Sequence, residues 1–252
     1  MALQQILDNL AELKLTGMRQ ALSQQQSQAA FSGMAFDERF GMLLNAELHY
    51  RAQKRQERLL RAARLKHSTA CVEDIDYQAH RGLERGYLAG LMQCDWIQRH
   101  QNLVITGPTG VGKTWLGCAL AQQAVRLGFS ALYKRFPLLC EEFETARRDG
   151  SLPRLRNQLT KVRLLVLDDW AITPITPVGR QELLELIEAR VSHGSLLITS
   201  QLPVDQWHQY IGELTLADAI MDRLIHRSHR LELKGESMRK GQVLAKGATD
   251  EN

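Results

Sequence analysis

Eight consecutive residues have the types and spacing of a loop that binds phosphate groups. They match the pattern G-x-x-x-x-G-K-[ST] and are Gly107, Pro108, Thr109, Gly110, Val111, Gly112, Lys113 and Thr114. Glycine allows backbone angles that other residues avoid, so the main chain can approach a phosphate closely and turn successive amides toward it. Lys113 can reach the β- and γ-phosphates, and the Thr114 hydroxyl can ligate Mg²⁺. The loop therefore predicts that the chain binds a nucleoside triphosphate.

The chain around the loop has the pattern of an α/β protein with a parallel sheet. An apolar run, 103–105, enters the loop, and a helix-compatible run leaves it from Trp115. From Gln101 onward strand-like and helix-like segments alternate, as they do in parallel sheets flanked by helices. Strands are predicted at Asn102–Thr106, Ala131–Lys134, Leu164–Asp168, Leu196–Ser200 and His229–Leu233. Helices are predicted at Lys113–Leu127, Leu138–Arg148, Leu152–Thr160, Gly179–Ser192 and Leu216–His226.

Two adjacent carboxylates follow the third predicted strand. Four apolar residues precede Asp168 and Asp169, and Asp168 comes 55 residues after Lys113. The carboxyl end of such a strand lies beside the phosphate loop, where Asp168 would enter the coordination sphere of Mg²⁺. Asp169 would be placed to polarise an attacking water. Two acids that cap a surface turn are the alternative, but the spacing and the apolar strand favour the metal site.

Three further polar residues are candidates for contact with the phosphates. Gln201 follows another buried strand, where a sensor of the γ-phosphate would lie. Arg223 closes an amphipathic helix and could be offered to a neighbouring subunit, where it would stabilise charge on the transferring phosphoryl group. A salt bridge to Asp218 or Asp222 is the alternative for Arg223. Arg239 is a further candidate, and its alternative is an arginine in a flexible tail.

The first 66 residues lack strand-like alternation and are predicted to form a small all-helical domain. Apolar residues recur at helical spacing, with a break near Ser32 and Gly33. Residues 51–66 then hold seven basic residues and one acid, a net charge of +6 in a chain whose total is +4. A surface that contacts phosphate backbones and an ordinary solvated helix face both remain open. The candidate DNA contacts are Arg51, Lys54, Arg55 and Arg58.

The overall composition bounds the remaining possibilities. The hydrophobic content of 44% suits a globular core, and the four cysteines form no C-x-x-C pair or metal-like spacing. The N-terminus has no signal-peptide pattern, and no apolar run is long enough to span a membrane. We therefore expect a reduced, cytoplasmic protein without a membrane partner. The predicted domains are helical residues 1–66, a connector at 67–100 and a nucleotide-binding domain at 101–252.

Taken together, these motifs resemble the IstB-type ATP-binding helpers of insertion-sequence transposition. These helpers are relatives of the DnaC helicase loaders within the AAA+ ATPases. The resemblance covers nearly the whole chain. Beyond the phosphate loop it uses the segments CDWI at 94–97, LLVLDDW at 164–170, ITSQ at 198–201, ADAIMDRL at 217–224 and GESMR at 235–239.

The resemblance implies a P-loop NTPase of the AAA+ type and gives each candidate residue a role. Lys113 and Thr114 would carry ATP and Mg²⁺, and Asp168 and Asp169 would act as the Walker B acids. The resemblance places Gln201 at sensor 1, Arg223 at the arginine finger and Arg239 at sensor 2. Two positions depart from the AAA+ pattern, since Asp169 stands where Glu is typical and Gln201 where Asn is commoner. We therefore expect hydrolysis to be slow or to depend on a partner.

A second basic zone falls where the initiator and loader relatives carry extra helices that face DNA. Residues 134–163 hold eight basic residues against four acids, a net charge of +4. With the first zone at +6, the rest of the chain sums to −6. Two basic zones on an otherwise acidic chain suit contact with phosphates rather than bases. The candidates in this zone are Lys134, Arg135, Arg147, Arg148, Arg154 and Arg156.

The resemblance implies an ATPase that works on double-stranded DNA. ATP binding would drive a homo-oligomer, a ring or a helical filament, to assemble on duplex target DNA and present it to a partner transposase. Hydrolysis would then reset the assembly. Three alternatives remain open: a replicative helicase loader of the DnaC type, a small-molecule or nucleotide kinase, and an adaptor that binds ATP without turnover.

Overall fold

The computed structural model describes residues 3–77 and 81–238, so Arg239 lies outside the described residues. The chain divides into two compact units, Met1–Arg58 and Leu59–Asn252. The domain boundaries predicted after residues 66 and 100 stay predictions. No helix among the described residues is both long and apolar enough to cross a membrane.

The first unit is helical. Its helices are α1 (Leu3–Glu12), α2 (Thr16–Ser27) and the beginning of α3 (Phe36–Ala63). The break predicted near Ser32 and Gly33 lies between α2 and α3, and a second break at 13–15 separates α1 from α2. That second break was not predicted, because Leu13 continues the apolar spacing of α1 across it.

A buried carboxylate joins α2 to α3 within this unit. Glu47 on α3 is 5% exposed, and its Oε2 atom accepts hydrogen bonds from the amides of Gly17 at 2.7 Å and Met18 at 3.1 Å. Burial alone would raise the pKa of Glu47, but the hydrogen bonds from Arg51, Met18 and Gly17 lower it. The carboxylate therefore stays ionised and satisfies two amides at the start of α2, which have no partner within the helix.

The second unit is built on a sheet of five parallel strands in the order β2-β3-β4-β1-β5. The strands are β1 (Asn102–Thr106), β2 (Ala131–Arg135), β3 (Leu164–Trp170), β4 (Ser195–Ser200) and β5 (Ser228–Glu232). The predicted α/β class and the five predicted strands are confirmed, with ends that differ by one or two residues. In register, Ser200 lies beside both Thr106 and Trp170, so β1, β3 and β4 end together.

Helices cover both faces of the sheet. They are the end of α3, then α4 (Arg85–Met92), α5 (Asp95–Gln98), α6 (Lys113–Arg126), α7 (Phe136–Asp149), α8 (Leu152–Lys161), α9 (Pro177–Arg190), α10 (Trp207–Ile211) and α11 (Leu214–Ile225). Successive strand residues alternate between two apolar clusters, with Leu103 in one and Val104 in the other. Burial on both faces explains why the strands read as continuous apolar runs.

The segment predicted as a connector, 67–100, packs into the same core as β1. Leu88 and Ile97 are fully buried, and both belong to the apolar cluster that contains Leu103. The described residues of this segment, 67–77 and 81–100, therefore contribute to the second unit rather than only leading into it.

Arg190, at the end of α9, is a buried cation that the sequence reasoning did not single out. It is 1% exposed, and its guanidinium donates to the carbonyl oxygens of Leu159, Val162, Arg163 and Ser195. Burial lowers its pKa to about 10. One side chain thus satisfies the carbonyls at the end of α8 and at the starts of β3 and β4.

We expect the substitution Arg190→Met to destabilise the chain by about 3–5 kcal/mol, because four buried carbonyls would lose a charged donor. Urea unfolding followed by circular dichroism would measure the change. Arg154→Met is the matched control, since Arg154 is exposed on α8 and its loss should cost less than about 0.5 kcal/mol. Equal midpoints for the two variants would contradict the structural role of Arg190.

Candidate nucleotide-binding site

The phosphate-binding loop lies between the carboxyl end of β1 and the first turn of α6. Gly107 and Gly110 have positive φ angles of 143° and 88°, a region that favours glycine. A Cβ atom on Gly107 would lie 2.2 Å from the carbonyl oxygen of Leu233, and one on Gly110 would lie 2.1 Å from Oγ of Ser237. The loop therefore needs glycine both for its turn and for close packing against the segment after β5.

Lys113 begins α6 and turns back over the loop. Its side chain is largely buried, and Nζ donates to the carbonyl oxygens of Gly107 at 2.7 Å and Pro108 at 2.8 Å. Burial lowers the pKa of Lys113, while the charges of Asp169 and Asp168 act in the opposite direction. The ammonium is thus held on the inner side of the loop, where a phosphate bound by the loop amides would meet it.

Asp168 is fully buried on β3 and accepts three hydroxyl hydrogen bonds. Its Oδ1 atom accepts from Thr114 at 2.7 Å and from Thr199 at 2.5 Å, and its Oδ2 atom accepts from Tyr133 at 2.6 Å. Lys66 Nζ lies 3.8 Å from the same Oδ2 atom. Thr114 and Asp168, which belong to two separate sequence motifs, are in contact as predicted. The contacts of Asp168 with Tyr133, Thr199 and Lys66 were not predicted.

The contact between Thr114 and Asp168 fits a magnesium site. It places a hydroxyl and a carboxylate oxygen side by side, which are the hard oxygen ligands that Mg²⁺ takes. Among the described residues no group of three His, Cys, Asp or Glu side chains converges on a metal position. Mg²⁺ at this site would therefore depend on Thr114, Asp168 and the nucleotide phosphates together.

Asp169 diverges from Asp168 and faces a basic side chain. Its φ angle is +61°, in the left-handed region, and the register between β3 and β4 shifts here. Its Oδ2 atom accepts a hydrogen bond from Nε of Arg135 at 2.7 Å, and its amide donates to the Thr199 hydroxyl at 3.2 Å. The carboxylate predicted to polarise water is therefore paired with an arginine predicted to contact DNA.

Gln201 follows β4 and reaches the loop. Its Oε1 atom accepts a hydrogen bond from the Thr109 hydroxyl at 2.6 Å. Both residues line a cleft of about 460 Å³, a size within the range of small-molecule sites. The cleft is lined by His67, Asp74, Asp76, Arg81, Thr109, Gly110, Gly112, Lys113, Thr114, Trp115, Asp169, Gln201 and Met238.

Part of the cleft lining could not be predicted from any sequence motif. His67, Asp74, Asp76 and Arg81 precede β1 and belong to no motif, so only the folded chain brings them to the loop. Arg81 is 5% exposed and donates to the carbonyl oxygen of Val111 inside the loop at 3.3 Å. Part of the cleft is therefore built by residues between α3 and β1.

Arg223 lies at the opposite end of the sheet from Lys113. Its carbonyl oxygen accepts a hydrogen bond from Asn102 Nδ2 at 3.5 Å, and Asn102 is the first residue of β1. Because β1 rises about 13 Å before it reaches the loop, Arg223 is remote from the phosphates of its own chain. The alternative, an ordinary salt bridge, is present, but its partner is Glu188 at 2.9 Å rather than Asp218 or Asp222.

The candidate DNA contacts in the first basic zone are exposed on α3. Arg51 pairs with Glu47 at 2.7 Å and Lys54 with Glu57 at 2.9 Å, and both basic side chains remain more than half exposed. Arg55 and Arg58 are exposed as well. All four therefore lie where a phosphate backbone could reach them.

The candidates in the second zone differ in how they are placed. Lys134 pairs with Glu142 at 2.5 Å and is 13% exposed, and Arg156 pairs with the buried Glu182 at 2.7 Å. These two cations are engaged within the chain, as Arg135 is with Asp169. The exposed candidates of this zone on α7 and α8 are Arg147, Arg148 and Arg154.

Comparison with known proteins gives a consistent result along the chain. A family model described as IstB-like ATP binding protein matches residues 8–245. The insertion sequence ATP-binding protein y4pL of Sinorhizobium fredii is 45% identical over 236 residues, which are 94% of this chain and 96% of that protein. The insertion sequence IS1162 ATP-binding protein of Pseudomonas fluorescens is 47% identical over 203 residues, 81% of this chain and 88% of that protein.

Solved structures share the fold. The crystal structure of DnaI has a TM-score of 0.57 at 21% identity and covers 71% of this chain and 94% of its own. DnaA from Aquifex aeolicus has a TM-score of 0.52 at 15% identity and covers 72% of this chain and 55% of its own. At these identities the likeness concerns the fold alone, and it confirms the predicted parallel sheet flanked by helices.

Proposed function

Because the chain belongs to the family of IstB-like ATP binding proteins, we propose that it is an ATPase that assembles on double-stranded DNA during transposition of an insertion sequence. ATP binding drives the assembly, and hydrolysis resets it. The assembly presents duplex DNA to a partner transposase. The relatives at 45% and 47% identity are insertion sequence ATP-binding proteins, which supports this choice over a kinase.

The placement of Arg223 is the observation that carries the proposal. A nucleotide on the loop would lie at one end of the sheet and Arg223 lies at the other, so an arginine that acts on a phosphate from this position would have to belong to a neighbouring copy. Copies stacked in this way form a heterologous interface, which closes as a ring or continues as a helical filament. The nucleotide site is then half of a subunit interface.

Each residue of the site has a separate role in hydrolysis. The loop amides and Lys113 hold the β- and γ-phosphates, and Thr114 and Asp168 hold Mg²⁺. Mg²⁺, when bound, neutralises charge on the phosphate oxygens. Asp169 accepts a hydrogen bond from the attacking water and orients it. Arg223 of the next copy stabilises negative charge on the transferring group.

The state of Asp169 supports slow hydrolysis without a partner. A carboxylate that already accepts a hydrogen bond from Arg135 at 2.7 Å is a weaker acceptor for water. Aspartate is also one methylene shorter than the usual glutamate. We infer that DNA phosphates which attract Arg135 would free Asp169 and raise the rate.

The helicase-loader alternative receives less support. The likeness to DnaI is at 21% identity and concerns the fold, whereas the insertion-sequence relatives are 45% and 47% identical over most of the chain. Capture of a transposase by the full chain, with no capture of a replicative helicase, would separate the two.

A salt titration of duplex binding tests the proposal. We expect tighter binding with a non-hydrolysable ATP analogue than with ADP, and a binding constant that falls linearly on a log–log plot against salt, because phosphate contacts release counterions. Fluorescence anisotropy of a labelled duplex measures both effects. Arg58→Gln should reduce the slope by about 0.9 per copy bound, and Lys14→Gln, also exposed but outside the basic zones, should leave it unchanged. Binding that depends on neither salt nor nucleotide would contradict the proposal.

A further inference from the structure

Lys66 connects the end of α3 with the buried carboxylate of the nucleotide site. It lies three residues after Ala63, the last residue of α3. Its Nζ atom is 3.8 Å from Oδ2 of Asp168, a residue with no solvent exposure, while the Lys66 side chain is 46% exposed. A partly exposed cation thus lies next to the carboxylate that would hold Mg²⁺.

The backbone around Lys66 is fixed to the second unit. Ala63 and Leu65 are buried in the apolar cluster that includes the strands. The backbone of Lys66 and His67 also hydrogen-bonds to the thiol of Cys118 on α6, the helix that begins with Lys113. The segment is therefore attached to the nucleotide-binding helix on one side and continuous with α3 on the other.

The two oxygens of Asp168 have different partners. Oδ1 accepts from Thr114 and Thr199, whereas Oδ2 has Tyr133 and Lys66. A divalent cation at Thr114 and Asp168 would compete with Lys66 for the carboxylate and weaken their pair with either nucleotide. Only a γ-phosphate, held by Lys113, would offer the ammonium a new anionic partner.

We propose that Lys66 is a positioning residue that transmits the state of the nucleotide to α3, an inference that rests on the proposed ATP-dependent DNA binding. Without a γ-phosphate Lys66 pairs with Asp168. With ATP bound the side chain leaves Asp168 for the γ-phosphate, and the strain on its anchored backbone passes to α3, which ends three residues earlier. ADP lacks that phosphate, so the two nucleotides leave α3 in different states. Since α3 carries most of the first basic zone, the difference between these two states of α3 changes the affinity for DNA.

The test compares three variants of the full chain. Lys66→Met removes the charge but keeps the length, and Lys66→Arg keeps the charge. Arg64→Met is the matched control, because it removes one exposed charge from the same basic zone two residues away. For each, the dissociation constant for a labelled duplex is measured with Mg²⁺ and either a non-hydrolysable ATP analogue or ADP.

We expect the wild-type chain and Arg64→Met to bind DNA about 5- to 150-fold more tightly with the ATP analogue than with ADP, the usual span of such coupling. For Lys66→Met the ratio should fall to about two-fold or less, and Lys66→Arg should restore most of it. Fluorescent ADP should bind all the variants equally well, because ADP lacks the γ-phosphate that Lys66 would contact.

The outcomes separate this inference from the proposed function. If Lys66→Met keeps the wild-type ratio, or if Lys66→Arg loses it as fully as Lys66→Met does, Lys66 does not transmit the nucleotide state. A ratio near one in the wild-type chain would overturn the proposed function and this inference together. Thermal melting of the variants is a check on folding, and the exposure of Lys66 predicts little change.

Discussion

Replacing Arg223 with alanine should lower the rate of ATP hydrolysis on DNA by about 10³-fold or more, the usual effect of losing an arginine that acts across an interface. The affinity of the isolated chain for ATP should stay nearly unchanged, because Arg223 lies at the amino end of the sheet, away from its own loop. Steady-state hydrolysis with duplex DNA and titration with a fluorescent ATP analogue would measure the two quantities. Arg227→Ala, an exposed neighbour beyond α11, is the control.

Mixing two inactive variants makes this prediction sharper. An Arg223→Ala chain keeps an intact loop, and a Lys113→Ala chain keeps the arginine, so a mixed interface can hold one complete site. In an equal mixture about a quarter of the interfaces should be of this kind, and activity should return in that proportion. If the mixture is as inactive as its components, the arginine does not act in a neighbouring copy.

Replacing Lys113 with alanine should weaken ATP binding by about 10²-fold or more, since charged hydrogen bonds to the phosphates would be lost. The nucleotide-free chain should be no less stable, because burial already disfavours this ammonium and lowers its pKa. Titration with a fluorescent ATP analogue gives the affinity, and thermal melting gives the stability. Lys161→Ala, exposed at the end of α8, is the control. Binding within about three-fold of wild type would rule out the predicted role of Lys113.

The sheet and the loop could be predicted because their signals are local. Strands buried on both faces must be apolar throughout, as Leu164–Leu167 is, and glycines at fixed spacing are required by the loop backbone itself. The short helix α10, at Trp207–Ile211, carries only one turn and was missed. A helix of one turn is too short for the spacing of its apolar residues to distinguish it from a loop.

The partners of the site residues could not be predicted in the same way. The hydrogen bond from Tyr133 to Asp168 exists because β2 lies beside β3, and no local pattern gives that order of strands. Charge counts have a similar limit. They include Lys134 and Arg156 in a basic zone, although both side chains are engaged by carboxylates of the same chain. The net charge of a segment does not show which of its basic side chains already form ion pairs. Only the folded structure shows which of them can contact DNA.

The ion pair between Arg135 and Asp169 would adjust the rate of ATP hydrolysis rather than switch hydrolysis on or off. Both side chains are partly exposed, at 46% and 21%. An exposed pair of this kind stabilises by at most about 1 kcal/mol, so it is open in at least about one molecule in six. If Asp169 orients the attacking water, the ion pair slows ATP hydrolysis in each copy by only a small factor. That factor changes with any charge near residue 135. In the proposed assembly on DNA, such changes in the hydrolysis rate would lengthen or shorten the time for which a stretch of DNA stays bound.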